Sequence, residues 1–198
     1  IDFAIVGEPT EMQPAIAEKG LMVLDITAEG KSGHAARNEG VNAIYKALED
    51  VLWIKSFRFD KQSEVLGEVK MTVTQIESGT QHNVVPDKCS FVVDIRSNGM
   101  YDNKEIYEAI QKNISSKATP RSTRLNASHL PKDHFFIKRA QQLGLTPFGS
   151  PTLSDQALMP FPSVKIGPGN SARSHTANEY ILLSELEEAT PLYYNLLN

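Results

Sequence analysis

Between Gly20 and about Leu125 the spacing of apolar residues alternates between two and three to four, and that alternation limits the fold more than any other feature. In Gly20 to Glu29, Met22, Leu24, Ile26 and Ala28 alternate with Val23, Asp25 and Thr27, as in a strand with one covered face. From Gly40 to Phe57, Val41, Ile44, Tyr45, Leu48, Val51 and Leu52 recur at helical spacing, with Asn42 near the start. Val69 to Glu77 and Lys88 to Arg96 read as strands. Asn103 to Ile114 reads as a helix with Ile106, Tyr107, Ile110 and Ile114 on one face, and a weaker strand is expected around Arg121 to Leu125. Strand, helix, strand, strand, helix, strand is the order of a ferredoxin-like βαββαβ unit, an antiparallel sheet with two helices on one face.

The flanks differ. Ile1 to Val6 reads as a buried strand, followed by the loop Gly7-Glu8-Pro9-Thr10. Beyond residue 126 a helix is expected at Asp133 to Leu143, ended by Gly144, then a short buried strand at Ser163 to Ile166 and a helix at Ser184 to Leu197. The loops between them are long and rich in Gly, Pro and Ser, and long ordered loops tend to carry function. The expected class is therefore α/β: residues 1–19 and 126–198 form parts of one domain, into which residues 20–125 are inserted. A strand at the very start, with no methionine, cap or loop before it, is expected to belong to a longer chain.

The net charge of −4 is spread along the sequence, so neither nucleic acid nor an anionic lipid surface is an expected partner. No apolar stretch approaches the ~20 residues that span a bilayer. The start lacks the basic region and cleavage site of a secretory signal. The single cysteine, Cys89, lies in the apolar run Cys89-Ser90-Phe91-Val92-Val93 and reads as a small core residue. It excludes an internal disulfide framework and fits a reducing compartment, so a cytoplasmic location is expected. Asn113-Ile114-Ser115 and Asn126-Ala127-Ser128 match the glycosylation triplet and are read as chance.

Gly30-Lys31-Ser32 resembles the end of a phosphate-binding loop, but Asp25 stands where that loop needs its first glycine. There is no G-x-S-x-G elbow and no H-E-x-x-H helix. What remains is a scatter of polar groups in loops: Glu8, His34, Asn83, Arg96, Asp155, Arg173, His175, Asn178 and Glu179. Imidazole and carboxylate suit zinc at a catalytic site. Glu8 follows a buried strand, where open α/β sheets place active-site groups. By spacing alone, a lone Glu and a lone His so far apart are weak evidence for a metal, and a solvated Glu8 and a surface His175 are the better reading.

Several motifs, taken together, carry more. They are Gly7-Glu8-Pro9-Thr10; Glu18-Lys19-Gly20; Gly33-His34-Ala35-Ala36-Arg37 with Gly40-Val41-Asn42-Ala43-Ile44; Asn83-Val84-Val85-Pro86-Asp87; Val93-Asp94-Ile95-Arg96; Ser154-Asp155; and Gly167-Pro168-Gly169 with Ser174-His175-Thr176-Ala177-Asn178-Glu179-Tyr180-Ile181. In that order they resemble the metallopeptidase family of acetylornithine deacetylase, succinyl-diaminopimelate desuccinylase, aminoacylase and their dipeptidase relatives. The resemblance implies a catalytic domain holding two zinc ions, replaceable by cobalt or manganese, and an inserted ferredoxin-like lid through which a homodimer forms.

It further implies that Glu8 ligates one zinc and His175 the other. His34, at the start of the first lid helix, would reach into the partner subunit's site and stabilise an oxyanion, with Asn83 supporting substrate binding there. Arg96 and Lys19 would meet the substrate carboxylate, as would Arg173 or Asn170. A solvated helix cap for His34, a turn residue for Asn83 and a structural ion pair for Arg96 remain alternatives. Asp155 and Glu179 are expected to steady the loops that present His175.

The implied reaction is hydrolysis of a small N-acyl amino acid. N-acetylornithine, in arginine biosynthesis, is the first expectation; N-succinyl amino acids and dipeptides are others. The family's H-x-D motif and Glu-Glu pair have no counterpart here, since the five histidines are followed two residues on by Ala36, Val84, Pro131, Phe136 and Ala177. The chain alone is therefore expected not to hydrolyse amides. The rival expectation is a non-catalytic dimerisation or amino-acid-binding module.

Overall fold

A computed structural model describes all 198 residues as two compact units. The first unit comprises residues 1–19, 64–66 and 127–198, and the second residues 20–63 and 67–126. Along the chain the elements are β1 (Ala4–Val6), β2 (Ala15–Glu18), β3 (Met22–Glu29), β4 (Gly33–His34), α1 (Ala43–Ser56), β5 (Lys70–Ser78), β6 (Val84–Val85), β7 (Lys88–Arg96) and α2 (Asn103–Asn113). They continue with β8 (Lys117–Pro120), β9 (Ser128–His129), α3 (Phe135–Gln142), β10 (Phe148–Ser150), β11 (Ser163–Lys165) and α4 (Leu183–Leu197).

In the second unit four antiparallel strands stand in the order β5-β7-β3-β8, the ferredoxin-like arrangement. Alternation does the work: Met22, Leu24, Ile26 and Ala28 of β3 and Cys89, Phe91, Val93 and Ile95 of β7 share one buried face. Ala43, Ala47 and Ile54 of α1 and Ile106 and Ile110 of α2 complete that core. Burial pushes the Cys89 thiol pKa up, as befits a core residue. Asp102 and Glu105 close a reciprocal cap on α2, and the Asn42 side chain accepts from the Ile44 N–H at the start of α1.

Three local expectations are corrected. The last strand is Lys117–Pro120, paired with β3, instead of Arg121 to Leu125. The sequence signal there is weak because KATP buries a single alanine and ends in proline. His34 is not at the start of the first helix; it lies on β4, and Asn42 is the cap. Most of the apolar stripe read for the first helix also faces away from the sheet, Val51 excepted, which packs against the core. Val41, Tyr45, Leu48 and Leu52 are 45%, 67%, 44% and 60% exposed, while small alanines let the opposite face sit close to the strands.

In the first unit the strand order is β1-β11-β2-β10, with β9 attached to β2. β1 and β11 run parallel in the register Ala4 with Ser163 to Val6 with Lys165, so their following loops leave the same end of the sheet. Phe136, Ile137 and Ala140 of α3, Ala189 and Leu196 of α4, Val164 and Ile166 form the core. No helix is long and apolar enough to cross a membrane.

Candidate functional site

The parallel pair β1 and β11 delivers Gly7–Thr10 and Gly167–Gly169 side by side, and hydrogen bonds lace them together. Thr10 and Met12 N–H groups donate to the Gly167 carbonyl at 3.1 and 3.0 Å, and Glu11 N–H donates to Gly169 at 2.8 Å. A Cβ on Gly167 would lie 2.7 Å from the Glu8 carbonyl oxygen, so only glycine permits this approach. Glu11, Met12 and His175 hold φ of 53°, 58° and 60°, a left-handed backbone that non-glycine residues adopt at a cost. The His175 N–H donates to Glu179 Oε2 at 3.1 Å, so Glu179 does fix the loop that presents the imidazole.

Glu8 and His175 line one cavity of about 400 Å³, together with Thr10, Ser150, Thr152, Leu153, Lys165 and Ser174. Both are exposed there, in a unit whose loops are otherwise heavily cross-linked. A carboxylate and an imidazole are the donor types zinc takes, but a catalytic zinc needs three protein donors. No group of three or more His, Cys, Asp or Glu residues is placed to hold a metal ion. The donor chemistry fits a metal; the donor count does not complete a site.

The remaining sequence-derived residues fall in three places. Arg173 lies outside this cavity, donates to both carboxylate oxygens of Glu185 at 2.9 and 2.8 Å, and stacks over Tyr180 at 4.8 Å. That pairing raises the Arg173 pKa and lowers that of Glu185. Asn170 spends its amide on Glu11 Oε1 at 2.8 Å. Lys19 is placed by its N–H, which donates to Ser150 at 3.0 Å, and does not line the cavity.

In the second unit β4 pairs with β6, and the Ala35 N–H donates to the Asn83 carbonyl at 2.9 Å, so His34 and Asn83 are neighbours. The Ala36 N–H donates to His34 Nδ1 at 3.1 Å, which assigns the ring proton to Nε2 and leaves Nε2–H free to donate. Crowded glycines hold this loop: a Cβ on Gly33 would lie 2.7 Å from Glu39, and one on Gly40, φ +83°, 2.5 Å from Lys31. Lys31 and Val41 exchange N–H···O bonds of 2.8 Å, so Gly30-Lys31-Ser32 is a folded connection and no phosphate loop. Arg96 forks onto Asp94 of its own strand at 2.8 and 3.1 Å.

Sequence reasoning missed Glu18 and Lys165, a buried ion pair at 3.2 Å. The available signal was a lysine inside the apolar run Ser163-Val164-Lys165-Ile166, where a charge demands a partner.

The second unit defines an inserted ferredoxin-like domain, and the first an α/β unit with polar loops at one end of its parallel pair. Residues 16–122 match the family model for the peptidase dimerisation domain of M20 peptidases, and the chain belongs to that family. It is 26% identical over 219 residues to acetylornithine deacetylase of Proteus mirabilis, covering 99% of this chain and 56% of that protein. It is 25% identical over 226 residues to succinyl-diaminopimelate desuccinylase 1 of Alteromonas mediterranea, covering 100% and 57%. The fold also matches the Bacillus subtilis YXEP protein, described as a dinuclear metal-binding peptidase from the M20 family, with TM-score 0.61, 17% identity and coverage of 98% and 55%. The chain thus spans about half the length of the curated relatives it matches.

Proposed function

We propose that this chain is part of a metal-dependent amidohydrolase acting on a small N-acyl amino acid, N-acetylornithine first among candidates. The observation that carries the reading is the meeting of Glu8 and His175 in one cavity beyond a parallel strand pair. Glu8 and His175 would each contribute one donor to a two-zinc centre, with further donors from outside the residues described. Such a centre, when complete, lowers the pKa of bound water towards ~7 and polarises the scissile carbonyl.

The chain's own residues do the rest. His34 Nε2–H, oriented by the Ala36 bond to Nδ1, would donate to the oxyanion of a partner subunit's substrate, beside Asn83. Arg96, Lys19 or Arg173 would meet the substrate carboxylate; for Arg96 and Arg173 this means sharing a guanidinium with Asp94 or Glu185. A homodimer would form through the exposed stripe Val41, Tyr45, Leu48 and Leu52 and the edge strand β5, against which α1 packs. That spacing is the seam of two pairing helices. N-succinyl amino acids are the alternative substrates, arginine biosynthesis the expected setting, and the cytoplasm the expected location.

A second reading has its own support. Because only two donors converge, the 198 residues by themselves suit a dimerisation or amino-acid-binding module. The deciding assay uses the complete gene product with N-acetyl- and N-succinylornithine. Zinc-dependent turnover should vanish with chelator and return with metal, and His34→Ala should lower kcat by roughly 10²–10³ with the fold intact. Turnover that is indifferent to metal, or an unchanged kcat in His34→Ala, would sink the corresponding assignment.

A further inference from the structure

Glu18 and Lys165 form an ion pair whose side chains are 0% and 5% exposed. Burying two charges is costly, and a buried pair is weak evidence of net stabilisation, so its retention invites another explanation. The bonds around it converge on one loop. Lys165 Nζ donates to Ser150 Oγ at 2.8 Å, Thr152 Oγ1 at 3.1 Å and Glu18 Oε2 at 3.2 Å. Glu18 in turn accepts from the Ser154 N–H at 3.0 Å and the Ser154 hydroxyl at 2.8 Å. Both ends of Pro151–Leu153 are therefore tied to the pair.

With its three protons spent and its charge matched by Glu18, Lys165 is free neither to bind a substrate anion nor to act as a base. Yet Thr152, Leu153 and Lys165 line the same cavity as Glu8 and His175. We propose that Glu18 and Lys165 are positioning residues, which fix residues 151–153 as a wall of the Glu8–His175 cavity and so set which acyl groups it admits. The proposal rests on the amidohydrolase reading above.

The test uses the complete protein and compares Lys165→Met with the double variant Glu18→Met, Lys165→Met. The single variant strands a buried carboxylate and should unfold at lower temperature. The double variant removes both charges at similar volume and should recover most of the loss. In the double variant the Thr152 and Ser154 amides, whose acceptors are Ser150 Oγ and Glu18, should exchange at least about tenfold faster while β3 amides keep their rates.

The ratio of kcat/KM for N-acetyl- over N-succinylornithine should shift by about tenfold or more, with metal content per chain unchanged. Unchanged exchange, or faster exchange with an unchanged ratio, overturns the proposal. Wild-type protein that turns over neither substrate sinks the amidohydrolase reading, and acyl selection with it; the exchange rates then still decide whether the pair pins the loop.

Discussion

The second unit buries one charge, Asp50, whose carboxylate accepts the Ser115 and Ser116 N–H groups at 2.9 and 3.0 Å beside an apolar core; the first buries a lysine and a glutamate paired across its strands. In the former, alternation along β3 and β7 and the apolar face of α2, with Ile106 and Ile110 buried, define most of the structure. In the latter, a strand of three residues such as β11 supplies little apolar surface, and cross-loop hydrogen bonds and close glycine contacts define the geometry. The two strategies respond to different kinds of damage. A regular sandwich is broken by cavities, and a loop cluster by small displacements of backbone.

The contrast is sharpest on α1, whose two faces should behave in opposite ways. Ile54→Ala opens a cavity at a residue 1% exposed and should cost about 2–5 kcal/mol in denaturant unfolding. Leu52→Ala, on the 60% exposed face, should leave the unfolding of isolated subunits within about 0.5 kcal/mol. It should instead raise the dimer dissociation constant, read by sedimentation at low concentration. Equal stability losses for the two variants would mean that α1 is oriented differently, and an unchanged dissociation constant would remove the stripe from the interface.

The loop cluster should respond to a single methyl group. Gly167→Ala places Cβ 2.7 Å from the Glu8 carbonyl, so the two loops must part. Overpacking of this kind costs about 1–3 kcal/mol. On the proposed ligation of zinc by Glu8, zinc retention by the complete protein, measured by chelator competition, should weaken by tenfold or more, given the roughly 10–100-fold cost of disturbing the groups that orient a metal's ligands. Gly144→Ala is the control: its φ of +78° strains an alanine, but nothing lies within 4 Å of the added Cβ. It should lose stability without losing zinc.

The difference between the units also explains what the sequence discloses. The βαββαβ order was legible because Met22, Leu24, Ile26 and Ala28 alternate over a full strand, and the strand β7 does the same. Burial on α1 was not legible, since its large apolar residues Tyr45, Leu48 and Leu52 are exposed and its inward face is Ala43, Ala47, Asp50 and Ile54, where two small alanines and a carboxylate barely mark an apolar period. Glu8 and His175 were singled out by their motifs, and their common cavity required three-dimensional placement. Arg173 and Arg96 show the limit: the sequence offers each as a substrate contact, and only the structure shows that each guanidinium is already paired, with Glu185 and with Asp94. Nothing in the local sequence pairs Glu18 with Lys165, because the partners lie on β2 and β11 and meet only when the sheet forms.

The smallest expected effect comes from acid, and it should separate the units once more. His134 caps α3: its Nδ1 accepts the Phe136 N–H at 3.3 Å, and its ring lies 4.7 Å from that of Phe3. Burial lowers its pKa from 6.5, with neighbouring Asp133 pulling the other way. The folded state therefore prefers the neutral ring, and the unfolded chain binds the proton first. The stability contributed by the neutral cap is fully present above pH 6.5 and is lost as the pH falls through 6.5 towards the folded value. The loss is bounded by the worth of a cap, about 0.5–2 kcal/mol.

His134→Asn keeps a capping oxygen that does not titrate, so the variant should match wild type at pH 7.5 and exceed it at pH 5.5. The difference should appear as slower exchange of α3 amides at pH 5.5, with α1 and α2 amides unaffected. Parallel pH dependences in the two proteins would mean that protons act elsewhere in the first unit, and His134 would then be no more than a packed ring.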